Sequence, residues 1–126
     1  MNNDSKANEF SRMVIGAAIE VHRVLGPGFL ESVYEEALAL EFKDRKIPFV
    51  RQHIIGVNYK GHMVGEGRLD LFVDQCLIVE LKTVEALLPI HTAQVISYLK
   101  ATHCSLGLLI NFNVPILKQG IKRIVL

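Results

Sequence analysis

Asp70, Glu80 and Lys82 are the residues of this chain best placed to do chemistry. They sit in two runs, Arg68 to Val73 and Cys76 to Val84, that are otherwise almost wholly apolar and are joined by a short polar turn. A carboxylate taken out of water is costly unless it is paired or binds a cation. Two acids and a lysine at neighbouring strand positions therefore point to a divalent-metal centre with a cationic helper. A salt bridge from Lys82 to either acid, on a solvated sheet face, is the alternative.

The surrounding pattern shows what must position them. Phe10, Met13, Val14, Ala17, Ala18, Val21 and Val24 recur at three- and four-residue steps, which predicts an amphipathic helix from about Ser5 to the breaker Gly26-Pro27-Gly28. A second helix is expected from about Leu30 to Arg45, with Leu30, Val33, Tyr34, Ala37 and Leu38 facing inward. Phe49 to Tyr59 reads as a strand, and Lys60-Gly61-His62 turns into the strand ending at Val73. The next strand ends near Val84, a helix follows Pro89, and Ser105 to Phe112 and Ile121 to Leu126 are the last two strands. The order α-α-β-β-β-α-β-β predicts an α/β sandwich with a mixed sheet.

Register decides whether the three residues meet. Glu80 and Lys82 are two apart and share a strand face. A loop of three, Asp74-Gln75-Cys76, pairs Val73 with Leu77 and puts Asp70 across from Glu80. A two-residue loop sends Asp70 to the other face unless a bulge intervenes.

At 126 residues the chain suits one domain with a real core, spanning 1–126. Half of it is hydrophobic, yet no apolar run approaches a membrane span, and the polar start is no signal peptide. Cys76 and Cys104 lack zinc-finger spacing and fit reduced thiols in the cytoplasm. Net charge is +1, but all 13 acids lie at or before Glu85, leaving Lys100, Lys118, Lys122 and Arg123 unopposed beyond it. That tail can meet a polyanion, although the whole chain lacks the strongly basic footprint of a tight nucleic-acid binder.

Asp70 followed by Glu80-Leu81-Lys82 resembles the acid and E-x-K signature of the PD-(D/E)XK nuclease-like superfamily, and Gln94 and Tyr98 resemble the Q-x-x-x-Y helix of several of its branches. Gly28-Phe29-Leu30-Glu31-Ser32-Val33-Tyr34 fits G-x-x-E-x-x-Y, and with Val21 to Gly28 and Gly107 to Phe112 it is similar to the small GxxExxY protein family. The resemblance runs from about Ile15 to Val125. It implies a restriction-endonuclease-like core, a mixed sheet flanked by helices.

On this reading Asp70, Glu80 and the Leu81 carbonyl hold Mg²⁺ or Mn²⁺, which suits hard oxygen ligands, and Lys82 orients the attacking water. Glu31 is a further acid from the helix, whereas Glu35 and Glu36 read as ordinary first-turn acids. His91, Gln94 and Tyr98 share one helical stripe, from which Gln94 can bond a phosphate or Lys82. Arg68, Tyr98, Lys118, Lys122 and Arg123 are candidate substrate contacts; the alternatives are pairing with Glu80 or Glu66 for Arg68, a core position with its hydroxyl at the rim for Tyr98, and ordinary surface residues for the other three. Tyr34 reads as packing and His22 as a structural histidine near the glycine turn.

The expected function is a metal-dependent nuclease acting on DNA or RNA. Its rival is a non-catalytic nucleic-acid or protein-interaction module on the same fold. A homodimer pairing through the Ile121 to Leu126 edge is a third expectation.

Overall fold

A computed structural model describes residues 2–126. Two helices open the chain, α1 (Asn3–Leu25) and α2 (Glu31–Asp44). They are followed by β1 (Phe49–Tyr59), β2 (His62–Val73), β3 (Leu77–Lys82), α3 (Pro89–Thr102), β4 (Leu106–Asn111), a single 3₁₀ turn (Leu117–Gly120) and β5 (Ile121–Val125). The strands lie in the order β1-β2-β3-β4-β5. Only β3 and β4 run parallel, with α3 as their crossover. All other neighbours are antiparallel, so the sheet is mixed.

Each sheet face has its own apolar layer. Val14, Ala17, Val21, Tyr34, Leu38 and Phe42 of α1 and α2 cover Leu71, Val79, Leu81, Leu108 and Ile110. Val95 and Leu99 of α3 cover Leu69, Phe72, Ile78, Leu109 and Ile124 on the other face. Close approach of α3 needs Gly107, where a Cβ would lie 2.7 Å from Val95 Cγ1. This is the restriction-endonuclease-like arrangement, with the expected element order.

Several inward assignments fail. Val24, Leu30 and Val33 are exposed. The buried face of α2 instead follows Tyr34, Leu38, Ala39 and Phe42, and Val24 lies in the last turn of α1. Strand β3 stops at Lys82 rather than near Val84, because Asn111 draws Val84 away. Its Oδ1 accepts from Val84 N–H at 3.1 Å and its Nδ2 donates to Val84 C=O at 2.9 Å.

Candidate active site

The β2–β3 hairpin has the three-residue loop, with Asp74 and Gln75 in left-handed conformations (φ 47° and 54°), and pairs Val73 with Leu77. That register carries Asp70 to the level of Glu80. The backbone ladder nevertheless ends at Leu71 and Val79. Beyond it the carboxylates take over: Asp70 N–H donates to Glu80 Oε1 at 3.2 Å, and Leu81 N–H donates to Asp70 Oδ2 at 2.9 Å. A strand residue's N–H and C=O point toward the same neighbouring strand, so the Leu81 carbonyl lies on the edge that its N–H presents to Asp70.

Glu80 is only 3% exposed, while Asp70 and Lys82 are half-buried. Burial, reinforced by the Asp70 charge, pushes the Glu80 carboxyl up to about 9, and the Lys82 charge pulls the other way. Among the described residues neither acid forms an ion pair with Lys82. The solvated salt bridge of the alternative reading is therefore not formed; an acid pair with one member buried and no ion-pair partner is present instead.

Glu31 approaches this pair from the start of α2. It is half-buried, and its carboxyl is raised by burial first and by Asp70 second, with Lys82 opposing and Glu35 adding. The G-x-x-E-x-x-Y segment explains how it gets there. Gly28 has φ 109°, which favours glycine. Tyr34 O–H donates to Gly26 C=O at 2.6 Å and accepts from Phe29 N–H at 3.2 Å, while its ring stacks on Phe112 at 4.5 Å. A buried tyrosine thus clamps the loop that aims Glu31. His22 is buried as well, its Nε2 2.8 Å from Val114 C=O, in the structural role expected of it.

Glu35 and Glu36 are taken up elsewhere. Arg51 bonds them at 2.8 and 2.7 Å, and Gln52 also donates to Glu35. On α3, Gln94 is exposed and Tyr98 is half-buried against Gly67. His91 Nδ1 accepts from Leu88 N–H at 3.0 Å, which caps the helix start. Arg68 is exposed, opposite Ile54 of β1. Lys122 stands in the cross-strand row Glu80, Leu109, Lys122. Its neighbour Arg123 is turned to Asn8 of α1, and Lys118 is exposed on the 3₁₀ turn.

The fold thus joins Asp70, Glu80 and the Leu81 backbone directly and sets the Glu31 and Lys82 charges close enough to act on the acids, while among the described residues no hydrogen bond or ion pair ties the other candidates to them. Sequence reasoning missed Asn111 and Gln52. A polar residue ending the apolar run Leu106 to Ile110 was the visible signal for Asn111; nothing in the sequence marks Gln52.

Among the described residues no group of three or more His, Cys, Asp or Glu side chains converges as a ready metal cage. Two carboxylates with a carbonyl nearby fit Mg²⁺ or Mn²⁺ all the same, since Mg²⁺ keeps several waters and uses one or two carboxylates. A cation beside Glu80 would offset the burial that raises its carboxyl and so favour its charged form.

The chain belongs to the PD-(D/E)XK nuclease superfamily, whose family model matches residues 8–124. No curated protein and no solved structure matches it significantly. No helix among the described residues is long and apolar enough to cross a membrane.

Proposed function

We propose that this protein is a nuclease that hydrolyses nucleic-acid phosphodiester bonds, with Mg²⁺ or Mn²⁺ held by Asp70, Glu80 and the Leu81 carbonyl. Membership of the superfamily supports the reaction class. The observation that carries the reading is the Asp70/Glu80 pair: two carboxylates meeting across a hairpin whose ladder has ended, one of them buried, with no cation paired to them among the described residues. The ion, when bound, supplies Lewis acidity and makes water nucleophilic at neutral pH.

The chain's own residues do the rest. Asp70 and Glu80 hold their positions through the backbone N–H groups of Leu81 and Asp70, so little reorganisation is needed. Lys82 orients the attacking water and offsets negative charge developing on the phosphate. Glu31 adds an outer carboxylate that holds water at the site. Gln94 and Tyr98 on α3, Arg68 on β2, and Lys118, Lys122 and Arg123 near β5 are the proposed substrate contacts; Arg123 must leave Asn8 to serve. Two free, buried thiols, Cys76 and Cys104, support work in a reducing compartment such as the cytoplasm.

Calorimetric titration with Mg²⁺ and Mn²⁺ tests the proposal on the wild type, Asp70→Ala and Glu80→Ala. Each sample is also incubated with single-stranded, duplex and branched DNA and with RNA. Metal binding and cleavage that both vanish in the variants support the nuclease. Cleavage surviving in both variants overturns the site. Nucleic-acid or protein binding with no metal dependence, unaffected by either substitution, favours the interaction module.

A further inference from the structure

Among the described residues six other than glycine have positive φ. Lys46, Lys60, Asp74, Gln75 and His103 lie at turns or element ends; Gln52, at φ 51°, lies inside β1. A left-handed residue in a strand is strained and persists only where its surroundings hold it.

The register shows what the kink does. Arg51 pairs with Leu71 and His53 with Leu69, in one continuous register, but the Gln52/Asp70 pair between them is absent. Both strands change face at that level. Residues two apart on a regular strand share a face, yet Leu69 packs in the layer beneath α3 and Leu71 in the layer beneath α1 and α2. On β1, consecutive Arg51 and Gln52 both reach Glu35 of α2, whereas His53 stacks on Phe72 of the α3-side layer at 5.1 Å. Side chains on a regular strand stand perpendicular to the sheet. They do not reach between strands to a neighbour's backbone, as Asp70 does at Leu81 N–H and Glu80 at Asp70 N–H.

The geometry points to Gln52 as the positioning residue of the site. Its left-handed backbone, held through its side chain by Glu35, releases Asp70 from the β1–β2 ladder and lets its carboxylate take the Leu81 amide. The functional value of this arrangement rests on reading Asp70 as a metal ligand; the arrangement itself can be tested without metal.

Amide hydrogen exchange on the metal-free protein is measured for wild type, Gln52→Val, Gln52→Asn and Glu35→Ala. Valine resists the left-handed region and asparagine accepts it. Expected in Gln52→Val is exchange about tenfold faster at the Leu81 and Asp70 amides, with Val79 unchanged. Gln52→Asn keeps wild-type protection, and Glu35→Ala falls between, which decides the matter if Gln52→Val does not fold. Unchanged protection in Gln52→Val and Glu35→Ala, equal loss in Gln52→Asn, or loss spread evenly to Val79 overturns the proposal. In parallel, Mn²⁺ affinity should fall in Gln52→Val and be rescued in Gln52→Asn. A wild type that binds no Mn²⁺ overturns the metal reading, and the exchange pattern still decides the role of Gln52.

Discussion

The β2–β3 hairpin is built in two ways along its short length. At its closed end, Leu71, Val73, Leu77 and Val79 are fully buried and joined by a regular ladder. One residue further, at Asp70 and Glu80, the same two strands are held by carboxylates bonded to backbone N–H groups. The closed end stabilises the fold through apolar burial, roughly 25 cal/mol for each Å² removed from water. The open end gives up ladder bonds and buries an acid whose charge is penalised. A protein under selection for stability alone would carry the ladder through. The contrast supports the open end as the proposed site.

The largest effect expected is on the open end alone. Lys82→Ala should lower cleavage about 100- to 1,000-fold, the range for losing one preorganised charge stabiliser. Metal affinity by calorimetry should change little, and a matched fall in both would show that Lys82 acts through ligand placement. The closed end should answer in the opposite currency. Leu71→Ala, at a site with no exposure, should cost about 2–5 kcal/mol in denaturant unfolding, while the folded fraction still binds metal.

Next in size is a dependence on pH carried by Glu80. Its carboxyl titrates about 9 when folded, against an ordinary value of 4.5. Between these values the folded state keeps a proton that the unfolded chain has released. Stability of the metal-free protein should therefore be fullest below about 4.5 and fall as pH rises toward 9, by at most about 1.4 kcal/mol per pH unit from this group. Chemical denaturation across that window, repeated on Glu80→Gln, checks it. A slope that persists in the variant would assign the effect elsewhere. The smallest change is expected from Tyr34→Phe, which removes the bonds to Gly26 and Phe29 at a cost of about 1 kcal/mol. If Tyr34 aims Glu31, metal affinity should weaken slightly in the same variant; unchanged affinity would leave it a packing residue only.

Much of the architecture was legible from short-range pattern. Helical spacing from Phe10 to Val21, breakers at Gly26-Pro27-Gly28 and Pro89, and β-branched runs gave the element order, because local periodicity and backbone restriction act within a few residues. The sequence narrowed the hairpin register to two loop lengths, and the pairing of Val73 with Leu77 selects the three-residue loop that brings Asp70 level with Glu80. What periodicity could not show was which faces would be covered. Leu30 and Val33 match the apolar pattern of α2, yet Tyr34 stacked on Phe112 sets the buried face and leaves them in water.

From its sequence by itself this protein was determined to have an α/β core with two acids and a lysine on adjoining strands. Those features depend on residue type and spacing, which a linear chain carries intact. Only the tertiary structure decided that Glu80 would be buried, that Asn111 would pull Val84 off β3, and that Gln52 would kink β1 at the level of Asp70. Each of these depends on a partner distant in the chain, Glu35 for Gln52 and Val84 for Asn111, and such contacts exist only once the layers have packed.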